Sequence, residues 1–324
     1  TIADAVLNDT DNQSNVTFEF SEDVAGFDLN DVSVNGGVLS GFTTVDARLY
    51  FATLTATDGV DVLATVTVGT NHTDLAGNSG IVSSDTVEVD TKNPTVVVDI
   101  VQSVLSISSN ISAVTFEFSE VVTGFDSADL LVNGGTLSDF TGSGSSYAAV
   151  YTANSQSRTI GSITVGRGFL DPAGNQGIAG FDSVVVNTRN PIPTVAFSET
   201  LLSDSDNSTT VTFAFDENVT GFGDEDVSVD GGTLSAITGS GSLYSATLTT
   251  IDGIEATGSV TVGTGYTDLA GNAGLVKTGF VSIDTQNPTV SVMIAEASLN
   301  NSMRSSQVSF VFSEDVAAFD LDDV

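Results

Sequence analysis

The feature that most constrains this chain is a repeat. "DTKNPTV" at Asp90–Val96 returns as "DTQNPTV" at Asp284–Val290, with a varied copy, "NTRNPIPTV", at Asn187–Val195. Asn93, Asn190 and Asn287 stand 97 residues apart. Other landmarks keep the same period. "VTFEFSEDV" at Val16–Val24 becomes "VTFEFSEVV" at Val114–Val122, "VTFAFDENV" at Val211–Val219 and "VSFVFSEDV" at Val308–Val316. "DLAGN" at Asp74–Asn78 becomes "DPAGN" at Asp171–Asn175 and "DLAGN" at Asp268–Asn272. "VNGG" at Val34–Gly37 recurs at Val132–Gly135 and, as "VDGG", at Val229–Gly232. Self-similarity at a fixed period marks an array of like units, each folded the same way.

The period divides the 324 residues into repeat 1 (1–92), repeat 2 (93–189), repeat 3 (190–286) and the start of repeat 4 (287–324). Thr1-Ile2-Ala3 aligns with Met293-Ile294-Ala295, and Val324 aligns with Val32. This predicts a slice of a longer array, cut within a domain at both ends. The fourth piece is then expected to need its remainder or a neighbouring chain.

Within each period, apolar and polar residues alternate with step two, the mark of half-buried strands. Val16, Phe18 and Phe20 share one side of a strand, and Tyr50, Ala52 and Leu54 share one side of another. No stretch has helical spacing over two turns. About seven short strands per repeat predict an all-β fold, a tandem array of immunoglobulin-like Greek-key sandwiches. In repeat 2 the strands are expected near Thr95–Val101 (A), Ala113–Ser119 (B), Leu130–Val132 (C), Thr136–Phe140 (C′), Tyr147–Thr152 (E), Ser162–Gly166 (F) and Ser183–Asn187 (G). The Gly-Gly pair before C′ reads as a hairpin turn.

Charge narrows the function. Forty-two acidic residues against seven basic ones give a formal net charge of −35. Nucleic-acid recognition needs clustered Lys and Arg, so it is excluded. Anionic membranes are repelled, and no apolar run is long enough to insert in one. Hard divalent cations, which prefer carboxylate oxygen, are attracted. An acidic coat serving solubility or salt adaptation accounts for the same charge without any site. There is no Cys, so disulfide scaffolds and thiolate zinc sites are excluded.

The set "VTFxFSExVxGF…DVxVxGG", "DxAGN" and "VDTxxPTV" resembles the bacterial Ig-like repeats of very large surface adhesins. Many of these are calcium-dependent, RTX-adhesin-like proteins secreted by type I systems in biofilm-forming bacteria. The resemblance covers the three full repeats and the partial fourth. It implies an extracellular, calcium-binding stalk at the bacterial cell surface, whose partners are its own neighbouring repeats.

Ig-like topology also suggests why the repeated phrase is acidic. The BC loop, the FG loop and the start of strand A lie at one end of such a sandwich. The linker from the preceding repeat therefore arrives beside the BC and FG loops. At the first junction this gathers Asp90 and Asn93 from the linker, Glu120, Asp126 and Asp129 from the BC loop, and Asp171 and Asn175 from the FG loop. Oxygen donors from three separate segments are what a six- to eight-coordinate calcium ion requires. The second junction offers Asn187, Asn190, Asp216, Glu217 and Asp268, and the third Asp284, Asn287, Glu314 and Asp315. Repeat 1 carries Glu22 and Asp74 at the corresponding places. Asn187 stands where Asp is expected, so the second junction is expected to bind more weakly. Asp and Asn are also ordinary turn residues, and "DLAGN" reads equally as a turn. Asp9, Asp11, Asp204 and Asp206, in AB loops at the far ends of their repeats, read as solvated turns.

No catalytic constellation is present. His72 is the only His, and its counterparts are Phe169 and Tyr266. Paired carboxylates recur with the array, which favours architecture over catalysis. Tyr50, Tyr147 and Tyr244 occupy equivalent strand positions and read as core, which leaves Tyr151 and Tyr266 as candidates for a sugar-binding platform. The sequence therefore predicts a non-enzymatic extender. A surface-layer or filament subunit and a glycan-binding module are the alternatives.

Overall fold

A computed structural model describes residues 1–324. It divides into two compact units, Thr1–Arg189 and Asn190–Val324. The first holds repeats 1 and 2, and the second holds repeat 3 and the partial fourth. Apart from short 3-10 turns such as Ser127–Asp129, the regular structure is strand. No helix is long and apolar enough to cross a membrane.

Repeat 2 shows the plan. One sheet runs, in spatial order, Val96–Ile100, Ile111–Phe118, Ser146–Ala153 and Gly135–Ser143. The other runs Val104–Leu105, Gly180–Asn187, Arg158–Val165 and Leu130–Asn133. The first strand thus changes sheets part-way, and its second piece pairs in parallel with the last strand. The alternation read from the sequence is the alternation of burial. In Ile111–Phe118 the even-numbered residues are buried, while the odd-numbered ones are exposed or half-buried.

One expectation is corrected. The segment placed at C′, Thr136–Phe140, lies within Gly135–Ser143 and pairs with Ser146–Ala153. It belongs to the sheet opposite Leu130–Asn133, so Gly134-Gly135 is a crossover between sheets and not a hairpin turn. The crossing is tight. Gly134 sits at φ +72°, and a Cβ there would lie 2.9 Å from the Gly161 Cα. Only glycine combines that backbone with that approach.

Each full repeat has its own core, in which aromatic rings from distant strands meet edge to face. Phe125, from the "GF" of the second motif, lies 4.8 Å from Phe118 and 5.0 Å from Tyr147, ring centre to ring centre. Phe169 caps the cluster, 4.8 Å from Phe118. The glycine that closes each FG loop faces this capping ring. A Cβ on Gly177 would lie 2.1 Å from Phe169, and one on Gly274 would lie 2.3 Å from Tyr266. His72 takes the same place in repeat 1, buried, with its Nδ1 lacking a hydrogen-bond partner. Tyr151 and Tyr266 are both fully buried, so neither forms the exposed platform that sugar binding needs. The Tyr151 hydroxyl donates to the Asn133 carbonyl at 2.8 Å.

Candidate metal centre

The site at the first junction begins with a turn that every full repeat builds for itself. In the FG loop of repeat 2, the Asp171 carboxylate accepts from the Asn175 backbone N–H at 2.9 Å and from Asn175 Nδ2 at 2.7 Å. Asp268 and Asn272 repeat both bonds in repeat 3, as do Asp74 and Asn78 in repeat 1. "DxAGN" is therefore an Asx-type turn closed by its own Asn, as turn chemistry allows. Its glycine takes a positive φ, +95° at Gly174. Each oxygen of an ionised carboxylate has about two lone pairs, so a bonded Asp171 keeps acceptor capacity.

The linker reaches this turn because its first residues are pinned. Thr91 is buried, and its hydroxyl donates to the Thr57 carbonyl at 2.7 Å and accepts the Val60 N–H at 3.1 Å. Thr188 and Thr285 make the corresponding bonds to Asn154 and Ser157 and to Ile251 and Ile254. This role of the threonine in "DT" was legible only as a letter kept in all three copies. Pinned in this way, the linker carries Asp90 to the next repeat. The Asp90, Glu120 and Asp171 carboxylates present oxygens within 4.8 Å of one another. Two oxygens on opposite sides of one calcium ion stand about 4.6–5.2 Å apart, so this donor set fits that ion.

The other expected residues divide. Asn93 donates through Nδ2 to the Gln176 carbonyl at 3.1 Å, and Asn190 donates likewise to the Ala273 carbonyl at 2.8 Å. Asn187 is buried, and its Oδ1 accepts the Arg189 N–H at 3.3 Å. Glu217 is half-buried and Asp268 is buried. Asp284, Asn287 and Glu314 line one open hollow of about 430 Å³ together with Asp204. Glu22 and Asp74 line an open hollow of about 670 Å³ in repeat 1. Asp126 and Asp129 lie outside the group formed by Asp90, Glu120 and Asp171, and they close the 3-10 turn. Asp126 caps the 3-10 turn through the Ala128 N–H at 2.7 Å, and Asp129 returns a bond to the Asp126 N–H at 3.0 Å.

Asp9 departs from the solvated turn expected of it. Its Oδ2 accepts from Asn93 Nδ2 at 2.7 Å, and its backbone N–H donates to Asn175 Oδ1 at 2.9 Å. The AB loop of one repeat thus touches the linker and the FG loop of the next. It stands at the end where strand G leaves, which is the end that meets the following repeat.

A family model described as "Bacterial Ig-like domain" matches residues 1–89, 90–188 and 187–282. The chain belongs to the bacterial Ig-like domain family. No curated protein matches it. Among solved structures, invasin, titled a bacterial integrin-binding protein, shows 16% identity over 97% of this chain and 67% of its own, at TM-score 0.35. InvD of Yersinia pseudotuberculosis shows 15% identity over 88% and 97%, at TM-score 0.36. An I-band fragment of titin shows 10% identity over 87% and 95%, at TM-score 0.31. Values this low carry no argument about function.

In this tandem Ig-like array, the charges at the first junction oppose one another. Burial, followed by the negative charges of Asp171 and Asp61, holds the Asp90 carboxyl above the ordinary range, although the Lys92 N–H and ammonium pull it down. Burial and then Asp171 and Asp90 raise Glu120. Asp74, in the same turn of repeat 1, goes the other way, because hydrogen bonds from Asn78 outweigh the cost of burial. The sign follows for pH. A carboxyl raised on folding opposes folding above its folded pKa, and that opposition fades as pH falls toward the unfolded value near 4. In a chelator, Glu120→Gln is therefore expected to raise the melting temperature at neutral pH and to leave it unchanged near pH 4. Both carboxyls are largely solvated, so screening keeps the effect small. Differential scanning calorimetry at the two pH values checks it, and equal gains at both would contradict like-charge crowding.

Proposed function

We propose that this chain is a non-enzymatic extender segment of a large extracellular bacterial adhesin, with calcium strengthening its inter-repeat junctions. Its product is length, supplied by sandwiches that each fold around a separate core and hand the chain on through a pinned linker. One observation carries the reading: the linker carboxylate Asp90 meets Glu120 and Asp171 of the next repeat. When bound, calcium would supply positive charge that offsets their mutual repulsion. Asp90, Glu120 and Asp171 would hold it, each from a different segment, so that binding ties repeat 1 to repeat 2. Net charge −35 favours cation uptake along the whole chain, but only converging oxygens make a stoichiometric site.

Asp90→Ala tests this directly. The residue lies at the end of a strand and is only half-buried, so without calcium the change should shift stability by about 0.5 kcal/mol or less in either direction, as at ordinary surface positions. With calcium present, the variant should bind one ion fewer per chain and lose part of the calcium-dependent gain in melting temperature. Elemental analysis after gel filtration, paired with titration calorimetry, measures both. Equal stoichiometry in parent and variant would remove Asp90 from the site and the proposal with it.

A further inference from the structure

We propose that Asn175 is the positioning residue of the junction between repeats 1 and 2, and that it sets their relative orientation by hydrogen bonds alone. This inference does not rest on calcium binding. Asn175 is 1% exposed and its side-chain amide is fully engaged. Nδ2 donates to the Asp90 carbonyl oxygen at 2.8 Å and to Asp171 Oδ2 at 2.7 Å. Oδ1 accepts the Asp9 N–H at 2.9 Å. One amide therefore joins the AB loop of repeat 1, the linker and the FG loop of repeat 2. Its oxygen faces Asp9, so it acts here as a clamp and not as a ligand beside the carboxylates.

Repeat 1 supplies the control within the same molecule. Asn78 makes the same two bonds to Asp74, yet its side chain is exposed. The Asp–Asn turn thus forms without a docked neighbour. What docking adds at Asn175 is burial and the bonds to Asp90 and Asp9. Separating the repeats would exchange these bonds for bonds to water, whereas deleting the amide while the repeats stay docked leaves its buried partners without their bond, which is the costlier change.

The surrounding bonds converge on the same geometry. Asn8 Nδ2 donates to the Ala173 carbonyl at 2.7 Å, and Asn93 Nδ2 bridges Asp9 Oδ2 at 2.7 Å and the Gln176 carbonyl at 3.1 Å. Asn175 is bonded to the backbone of Asp90, so the clamp survives removal of the Asp90 carboxylate. The bonds to the Asp90 carbonyl and the Asp9 N–H involve no carboxylate, so the orientation they set does not depend on a cation, although Asp171 belongs both to the turn and to the proposed site.

The chain has no Cys, so spin labels can be placed at will. Thr43→Cys and Thr141→Cys put one label on an exposed strand position in each repeat. Double electron–electron resonance on the 324-residue chain in excess chelator then reads the inter-repeat distance. The labelled parent should give one narrow distribution, and Asn175→Ala should widen it about twofold, because freely moving neighbours are the default when an interface is small. Asn78→Ala should leave it unchanged. Asn93→Ala, in the linker and outside the cores, should widen it even if Asn175→Ala fails to fold. A broad parent distribution in chelator overturns the inference, as does an Asn93→Ala or a folded Asn175→Ala variant as narrow as the parent. Because calcium is absent throughout, none of these results bears on whether the carboxylates bind it.

Discussion

Tyr266→Ala is expected to destabilise repeat 3 strongly and not to remove a recognition surface. The ring is fully buried between Phe215 and Phe222, at centroid distances of 4.9 and 5.6 Å. Truncating a buried aromatic residue costs about 3–5 kcal/mol, from lost burial and from the cavity left behind. That is a large share of the roughly 5–15 kcal/mol that holds a domain folded. The hydroxyl adds to the loss, since it donates to the Leu275 carbonyl at 3.0 Å and accepts the Leu275 N–H at 3.2 Å. Tyr266→Phe keeps the ring and forfeits only those bonds, so it should cost about 1 kcal/mol. Phe169 shows that a repeat is built with a phenyl ring at this place. Chemical denaturation followed by circular dichroism should therefore show an early partial transition for the Ala variant and a small shift for the Phe variant. A Tyr266→Ala chain as stable as the parent would mean that the ring is not part of the core.

Tyr266 also shows where sequence reasoning ran out. Its alignment with His72 and Phe169 marks a packing or platform position, but alignment does not say which of the two it is. The answer lies in Gly274, eight residues on, whose missing side chain makes room for the ring. Period and alternation were enough for the sandwich, because both are local. They could not assign Gly135–Ser143 to a sheet, since either sheet accepts the same alternation, and the crossover depends on the close approach of Gly134 to Gly161. The convergence of Asp90, Glu120 and Asp171 could be anticipated because topology fixes which loops share an end. Asp9 reads as a plain turn residue in the sequence because its loop lies far from the BC and FG loops of its own repeat, and its partners Asn93 and Asn175 belong to the next one. Thr91 was missed for a different reason: a buried threonine and a solvated one look alike until their partners are known.

Calcium is expected to raise the melting temperature of the chain, and the size and ion selectivity of the rise distinguish a site from an acidic coat. An ion bound only by the folded, docked repeats stabilises them by about 2.7 kcal/mol per site at a hundredfold excess over its dissociation constant. For a domain of this size, that corresponds to a shift on the order of 10 °C. A coat of 42 acidic residues would also be stabilised by added salt, because self-repulsion is screened. Screening depends on ionic strength, and a little millimolar calcium contributes almost nothing beyond a background of about 0.15 M sodium chloride. Coordination by three carboxylates depends instead on the ion itself. Magnesium demands a smaller, near-octahedral shell and gives up its water reluctantly, so it should serve poorly. The decisive comparison is therefore melting in high sodium chloride with chelator, with magnesium, and with calcium. A large gain with calcium alone, reduced in Asp90→Ala, identifies stoichiometric binding at the junction. Equal curves in all three conditions, with no calcium retained by the protein, would leave the charge as a coat and the junction held by hydrogen bonds.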